Sequence, residues 1–439
     1  MTLIRQTVET FGWQVAGFLA MAMAGMITAR VLGPADRGLL AAVYLYPQLA
    51  TLLGSLSLGV VIFHHLSQRE FTAGQFAGTM TAAALGLGTV VLLLVILVLW
   101  WGGEALYRGI PLRMLLVAIF PLPWLFSLGY FSSLLQGVLD IRWSNLVNHG
   151  AKLVSLAVVL MLFACGRLRV WDLIIAGSLL TMAMASVAAW RLRRHLPGPW
   201  HCSPKLFRVL AGHGLRIHLG AVMIFVAGRA NLFLANVYLT KSEVGYLYLA
   251  IALAELIWFV SISAETVLYP QVSQMNTPEA AILTARVCRQ VLALSGFVGL
   301  ALIVCAPAAV LLYGGRAFLP ATVPLRLLVP GVVALVISKI LSAIWVREGW
   351  FGTLAIFGCG TGILSVALNA ALIPRLGLSG AALATTSAYA INAACSLLVY
   401  WRWVSRDLRA VWCIRGDDIT HLVKSLWDLQ LVKRGLESR

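Results

Sequence analysis

FGWQVAGFLAMAMAGMITARVLGPADRGLLAAVYLYPQLATLLGSLSLGVVIF (residues 11–63) decides the fold class. It is two apolar runs separated by Gly33-Pro34, a pair that breaks a helix and turns the chain. The first run, 11–31, has the roughly 20 residues that a helix needs to cross the hydrocarbon core. A cleaved signal sequence competes for this run, since Ala22-Met23-Ala24 is a weak cleavage motif. Its leading segment carries only Arg5 as a cation, however, and the run is longer than an ordinary signal core, so a retained first span is expected.

Ten further apolar runs follow, making twelve spans near 11–31, 38–63, 76–101, 114–137, 146–165, 170–190, 215–239, 244–269, 287–313, 323–346, 350–373 and 379–401. The links between them are too short for a soluble catalytic or nucleotide-binding domain. Composition agrees: 61% of residues are hydrophobic and 11% charged, with a mean hydropathy of +0.91. Soluble domains carry about 25% charged residues, so lipid must solvate most of this surface. A net charge of +17 on a soluble chain would suggest nucleic acid; here basic loops beside a membrane explain it, and no nucleic-acid partner is expected. The seven cysteines form no CxxC pair and read as small core residues, with neither a disulfide frame nor a metal site.

With the N-terminus in the cytoplasm, 21 of the 33 lysines and arginines fall on that side, ten fall opposite, and Arg229 and Lys339 lie within spans. That bias predicts both termini in the cytoplasm, and the chain is expected as a multi-pass protein of a bacterial inner membrane. The basic, proline-bearing stretch 191–216 divides the chain. The expected organisation is an N-terminal six-helix half over 1–196, a cytoplasmic linker over 197–214, a C-terminal half over 215–403 and a cytoplasmic tail over 404–439. In the tail, Ile419, Leu422, Val423 and Leu426 follow helical spacing opposite Lys424 and Asp428, the pattern of a short amphipathic surface helix. Leu32, Asp36 and Gly38 recur as Leu239, Glu243 and Gly245 at an offset of 207, and the sixth and twelfth spans end alike in Trp190-Arg191 and Trp401-Arg402. Two halves of six spans share one orientation, so this is a parallel repeat, and transporters of that kind place their site where the halves meet.

No P-loop, GxSxG or HExxH motif is present, and no catalytic residue, cofactor or metal ligand is assigned. The chemistry left is charge inside the membrane, which costs about 2.5–3.5 kcal/mol per residue on insertion scales and therefore needs a partner or a wet cavity. Arg229 and Glu255 lie at equal depth on adjacent spans and are expected to pair. The pair either locks one hairpin or holds Arg229 ready for phosphate, which a guanidinium fork binds through two hydrogen bonds. Lys339 either snorkels to the interface or lines a cavity. Asn231 either contacts sugar hydroxyls or, with Asn236, bonds between helices. Arg30, Asp36 and Arg37 sit at the outer mouth. Pro47, Pro121, Pro123, Pro307 and Pro330 favour kinks inside spans.

Four stretches carry a family resemblance: ITARVLGPADRGLLAAVYLYPQLATLLGSLSLG (27–59), LLQGVLDIRWSN (134–145), GLRIHLGAVMIFVAGRANLFLANVYLTKSEVGYLYLAIALAELIW (214–258) with ETVLYPQVSQ (265–274), and LNAALIPRLGLSGAALATTSAY (368–389). In order and spacing the chain resembles the O-antigen and exopolysaccharide flippases, the polysaccharide-transport branch of the MOP superfamily. The resemblance implies an all-α polytopic fold, a V-shaped bundle of two six-helix halves around a cationic cavity. It also implies a polyprenyl-pyrophosphate-linked oligosaccharide as substrate, turned from cytoplasmic to periplasmic leaflet without a covalent step. Membrane lipids and the machinery that polymerises the glycan would be its other partners. Many members carry an acid two residues after the arginine of the seventh span; Asn231 stands there, which makes Glu255 the leading titratable candidate. Rival readings are a small-solute or multidrug antiporter of the same superfamily, which would want an acidic cavity; a membrane glycosyltransferase or polymerase, which would need a large catalytic loop; and a flippase for peptidoglycan precursors.

Overall fold

The computed structural model describes residues 3–67, 71–103, 107, 109–138, 140–196, 198–272 and 275–412. The amphipathic tail helix expected from residue 418 lies outside them. Among the described residues there is helix and turn but no strand. In chain order the helices are α1 (Leu3–Gly54), α2 (Leu58–Ser67), α3 (Ala73–Gly102), α4 (Leu112–Ile119), α5 (Leu122–Gly137), α6 (Ile141–Asn145), α7 (Ala151–Ala164), α8 (Val170–His195) and α9 (Pro204–Tyr238). They continue as α10 (Lys241–Ala254), α11 (Trp258–Val272), α12 (Thr277–Val304), α13 (Ala306–Gly314), α14 (Thr322–Arg347), α15 (Phe351–Trp403) and α16 (Arg409–Trp412).

Nine segments among the described residues are long and apolar enough to span a bilayer. Two of them, Gly12–Gly54 and Gly352–Trp403, run to 43 and 52 residues. At about 1.5 Å per residue, either would be more than twice the roughly 30 Å hydrocarbon thickness if straight. Each contains a break: Gly33 adopts φ 72° in α1, and Gly377 adopts φ 57° in α15, a region open to glycine. The chain doubles back after Gly377, since a Cβ on Gly380 would fall 3.1 Å from the backbone nitrogen of Ile373. Seven residues along one straight helix would separate them by about 10 Å. Of these two segments, the first holds the expected span 11–31 and the part of 38–63 up to Gly54, where α1 ends, and the second holds the expected spans 350–373 and 379–401. The expected span 215–239 lies in α9, which is not among the nine.

Residues 204–214, expected as linker, are instead the first turns of α9. Ser203 caps the helix by accepting a hydrogen bond from the Leu206 N–H, and Pro204 occupies the first turn, where a missing N–H costs nothing. Leu206 and Leu210 are buried there against the helices of the first half. The buried apolar residues fall into clusters that follow the chain: one over residues 40–210, and two drawn, apart from Ala29, from residues 232–411.

The glycines that recur at an offset of 207 meet in space. A Cβ on Gly38 would fall 2.8 Å from the nitrogen of Gly245 and onto the carbonyl of Lys241; one on Gly245 would fall 3.1 Å from the nitrogen of Gly38 and onto the carbonyl of Pro34. Lys241 is Pro34 shifted by the same offset. The contact is therefore self-complementary, as at a two-fold axis, and the axis runs through backbones with no side chain between them. Arg37 lies over the ring of Tyr248, 4.7 Å from its centroid, beside this crossing.

The prolines act as breakers in two ways. Pro121 and Pro307 sit where α4 gives way to α5 and α12 to α13, while Pro47 and Pro330 stay inside helices. Pro121 has no N–H for the Val117 carbonyl, and the Ser178 hydroxyl of α8 donates to that carbonyl instead, at 3.0 Å. Between α1 and α2, Leu56 and Ser57 have φ of 48° and 50°, a conformation side chains rarely adopt. His218 of α9 spans this break: Nε2 lies 3.1 Å from the Leu53 carbonyl and Nδ1 3.0 Å from the Ser57 hydroxyl. Tyr130 donates to the Ser55 carbonyl at 2.8 Å. The backbone groups freed by the break are thus bonded by side chains, as a low-dielectric surrounding requires.

Gly38→Ala and Gly245→Ala are each expected to lower the melting temperature of the purified protein, with a cost of about 1–3 kcal/mol from overpacking. Gly129→Ala is the control, because nothing lies within 4 Å of its Cβ position and an alanine inside a helix is favoured over glycine. Melting of either crossing variant at or above the wild-type temperature would show that the backbones have room to part.

Candidate functional site

Five stretches of helix converge on a cavity of about 540 Å³ in the C-terminal half. Phe225, Gly228 and Arg229 come from α9; Glu255 comes from the short 3₁₀ turn Glu255–Ile257 that ends α10. Trp258, Glu265 and Tyr269 come from α11, Ser338, Lys339 and Ser342 from α14, and Phe357, Thr361, Tyr389 and Asn392 from α15. The spacing explains the convergence. Positions 255, 258, 265 and 269 lie three, seven and four residues apart, so they form one stripe along the helix; 338, 339 and 342 form another.

Arg229 Nη1 donates to Glu255 Oε1 at 3.3 Å, so the two intramembrane groups placed at equal depth by the sequence do meet. Their side chains keep 33% and 28% of their exposure, which leaves the pair open to the cavity rather than sealed between helices. Lys339 Nζ lies 3.5 Å from Glu265 Oε1 and 5.6 Å from the centre of the Trp258 ring. Its ammonium is engaged inside the cavity. Tyr269 and Ser342 share a hydrogen bond of 2.6 Å next to that pair.

The expectation of a cationic cleft is corrected here. Among the described lining residues, two cations face two carboxylates, and each cation has an acidic partner. The reason is dielectric: a bare charge within the bilayer costs several kcal/mol, and a carboxylate at contact offsets much of it.

Of the two readings of Asn231, the structure shows the bond between helices, and its place as a substrate-binding residue is corrected. It is 1% exposed and lies outside the main cavity. Its Nδ2 donates to Thr385 Oγ1 at 3.0 Å, and its own Oδ1 accepts from the Leu232 N–H, so it fastens α9 to α15. Asn236 is buried and accepts from Lys241 Nζ at 2.5 Å. The three residues expected at the outer mouth do not gather into a site. Arg30 donates to the Leu312 carbonyl at 2.5 Å, Arg37 stacks on Tyr248, and Asp36 is exposed. The two arginines tie α1 to α13 and α10, across the halves.

Glu265, Trp258 and Tyr269 are site residues that the sequence reading passed over. The signal was the helical stripe itself: an acid ten residues after Glu255 falls on the same face, and Glu265 sat unremarked near the end of the expected eighth span. A second cavity, of about 500 Å³, lies in the N-terminal half and shares Phe225 with the first. No group of three or more His, Cys, Asp or Glu residues suited to a metal ion occurs among the described residues.

Comparison with known proteins bears on what this arrangement belongs to. A sequence search of curated proteins finds no match. Among solved structures, the fold is similar to that titled "Lipid II flippase MurJ, inward closed conformation", with a TM-score of 0.72 and 14% identity over 90% of this chain and 87% of that one. It is similar to an inward-facing multidrug resistance MATE family transporter of the MOP superfamily, with a TM-score of 0.68 and 13% identity over 87% and 93% of the two chains. It also resembles a MOP superfamily transporter from Pyrococcus furiosus, titled for the reverse polarity of its binding pocket, with a TM-score of 0.59 and 14% identity over 88% and 93%. At such identities the likeness is one of fold. The sequence itself matches the family model described as "Polysaccharide biosynthesis protein" over residues 27–323, which is more than half of the chain. The chain therefore belongs to the polysaccharide biosynthesis protein family and has the fold of the MOP-superfamily transporters.

Proposed function

We propose that this protein is a flippase that carries a polyprenyl-pyrophosphate-linked oligosaccharide from the cytoplasmic to the periplasmic leaflet of the bacterial inner membrane, with both termini in the cytoplasm. Two like-oriented six-helix halves alternate access to the cavity, which lies in the C-terminal half and adjoins the cavity of the N-terminal half at Phe225. The observation that supports it most is the state of Arg229 and Lys339: each is partly exposed within a membrane cavity, and each is held by a carboxylate that a phosphate can replace.

Arriving pyrophosphate takes the place of Glu255 on the Arg229 fork, gaining a bidentate contact that a single carboxylate oxygen at 3.3 Å does not make. Lys339 offers a point charge to the second phosphate. The displaced carboxylates restore neutrality when the substrate leaves, so the empty cavity is never left with bare cations. The polyprenyl tail stays in lipid while the polar head crosses between the halves, and the low dielectric strengthens each phosphate contact made on the way. A second reading, exchange of a small cationic solute, draws on the same two carboxylates and on the likeness to a multidrug transporter fold.

Arg229→Ala is expected to reduce surface polysaccharide tenfold or more in cells that depend on this protein, with lipid-linked precursor accumulating inside; Arg229→Lys is expected to restore part of the export. Unchanged export by both variants at normal protein level would remove Arg229 from transport. Dye extrusion that depends on Glu255 and Glu265, with polysaccharide untouched, would favour the second reading.

Glu265→Gln tests the exchange of partners. Freed from its carboxylate, Lys339 should hold polyprenyl pyrophosphate up to about fivefold more tightly, the equivalent of the ~1 kcal/mol that a partly exposed ion pair is worth. Quenching of tryptophan fluorescence during titration reads this out, since Trp258 lies beside the Lys339 ammonium. Weaker binding by Glu265→Gln than by wild type would show that the carboxylate assists the anion rather than competing with it.

A further inference from the structure

We infer that the neutral cavity of the N-terminal half is the seat of the substrate's sugar, while the charged cavity of the C-terminal half takes its pyrophosphate. This rests on the substrate reading above and adds to it which part of the molecule goes where.

The repeat relates the two cavities. Tyr44, Pro47, Gln48 and Thr51 line the N-terminal cavity. Shifted by 207 they become Ile251, Ala254, Glu255 and Trp258, all of which line one small cleft beside the C-terminal cavity. Ser178 of the N-terminal cavity likewise becomes Thr385 of that cleft. The two walls are built alike, and the residues on them differ. Where the C-terminal half has Glu255 paired with Arg229, the N-terminal half has the amide Gln48, with Ala22 at the position of the arginine. No charged residue is found among the described residues lining the N-terminal cavity.

A sugar is an uncharged ligand with a hydroxyl edge and an apolar C–H face, and this lining matches both. Tyr44 donates its hydroxyl proton to the Leu173 carbonyl at 3.1 Å, Ser178 to Val117 at 3.0 Å and Thr181 to Gly177 at 2.9 Å. With those protons committed to backbone, the three oxygens have acceptor capacity left for sugar O–H groups. Gln48 is exposed and adds both a donor and an acceptor. Phe225, Pro47 and Leu125 supply apolar surface for the ring faces. At about 500 Å³ the cavity lies within the range of sites that enclose small ligands.

The two cavities abut at Phe225, which lines both. In a lipid-linked oligosaccharide the first sugar is bonded directly to the pyrophosphate, so one molecule can place its anion on Arg229 and its sugar beyond Phe225. Each half then holds a different part of the substrate, and closing the halves requires the whole head group.

The test uses the full chain in detergent and two probes, followed by tryptophan fluorescence: polyprenyl pyrophosphate without sugar, and the lipid-linked oligosaccharide extracted from cells lacking this protein. The double variant Gln48→Ala with Thr181→Val is expected to bind the sugar-bearing lipid at least tenfold more weakly and the sugar-free lipid within twofold of wild type. Retained binding of the sugar-free lipid also shows that the variant is folded. Arg229→Ala is expected to weaken both probes. Equal affinities of wild type and double variant for the sugar-bearing lipid, or an equal loss for both probes, would overturn the assignment of the sugar subsite. Failure of the wild type to bind either probe would instead overturn the substrate reading, and the subsite with it.

Discussion

Two helix backbones can touch only where neither carries a side chain. Gly38 of α1 and Gly245 of α10 provide that contact, and the neighbouring carbonyls of Pro34 and Lys241 complete it symmetrically. A contact this close fixes the distance between the halves to within the size of one methyl group. It also sets their relation, because a self-complementary patch can form only about a two-fold axis. The contacts of Arg30 with Leu312 and of Arg37 with Tyr248 cross between the same halves. Without a hydrophobic effect between helices in lipid, such packing of small residues is the main force available to hold the halves together.

Polar groups inside the halves obey a second constraint, that nothing charged or hydrogen-bonding stays bare in hydrocarbon. The broken helices show it at the backbone: Ser178 serves the carbonyl released by Pro121, Thr386 bonds the Leu327 carbonyl near Pro330, and His218 with Tyr130 serves the break at Leu56 and Ser57. The ion pairs show it for charge. Arg229 and Lys339 have their carboxylates at contact, yet both pairs remain partly open. Such a pair keeps the cation covered while leaving it able to exchange its carboxylate for another anion entering the cavity.

The repeat then separates structure from chemistry. One wall, built twice, carries Gln48 in one half and Glu255 in the other, and with Arg229, Glu265 and Lys339 gathered beside Glu255 the interior is divided into a neutral and a charged chamber.

Much of this was legible in the residues. The membrane class follows from a sum over each segment, since insertion depends on how many apolar residues occur in a row. Glycine and proline marked the breaks at Gly33 and Pro121, because φ and the missing N–H are local properties. Equal depth was enough to bring Arg229 and Glu255 together. The sequence could not show the rotation of each helix about its own axis, which depends on neighbours. That rotation turned Asn231 toward Thr385 and away from the cavity, and brought Glu265 within reach of Lys339. Depth in the bilayer is a one-dimensional quantity that a sequence records, whereas the choice of partner around a helix is settled only when the other helices are in place.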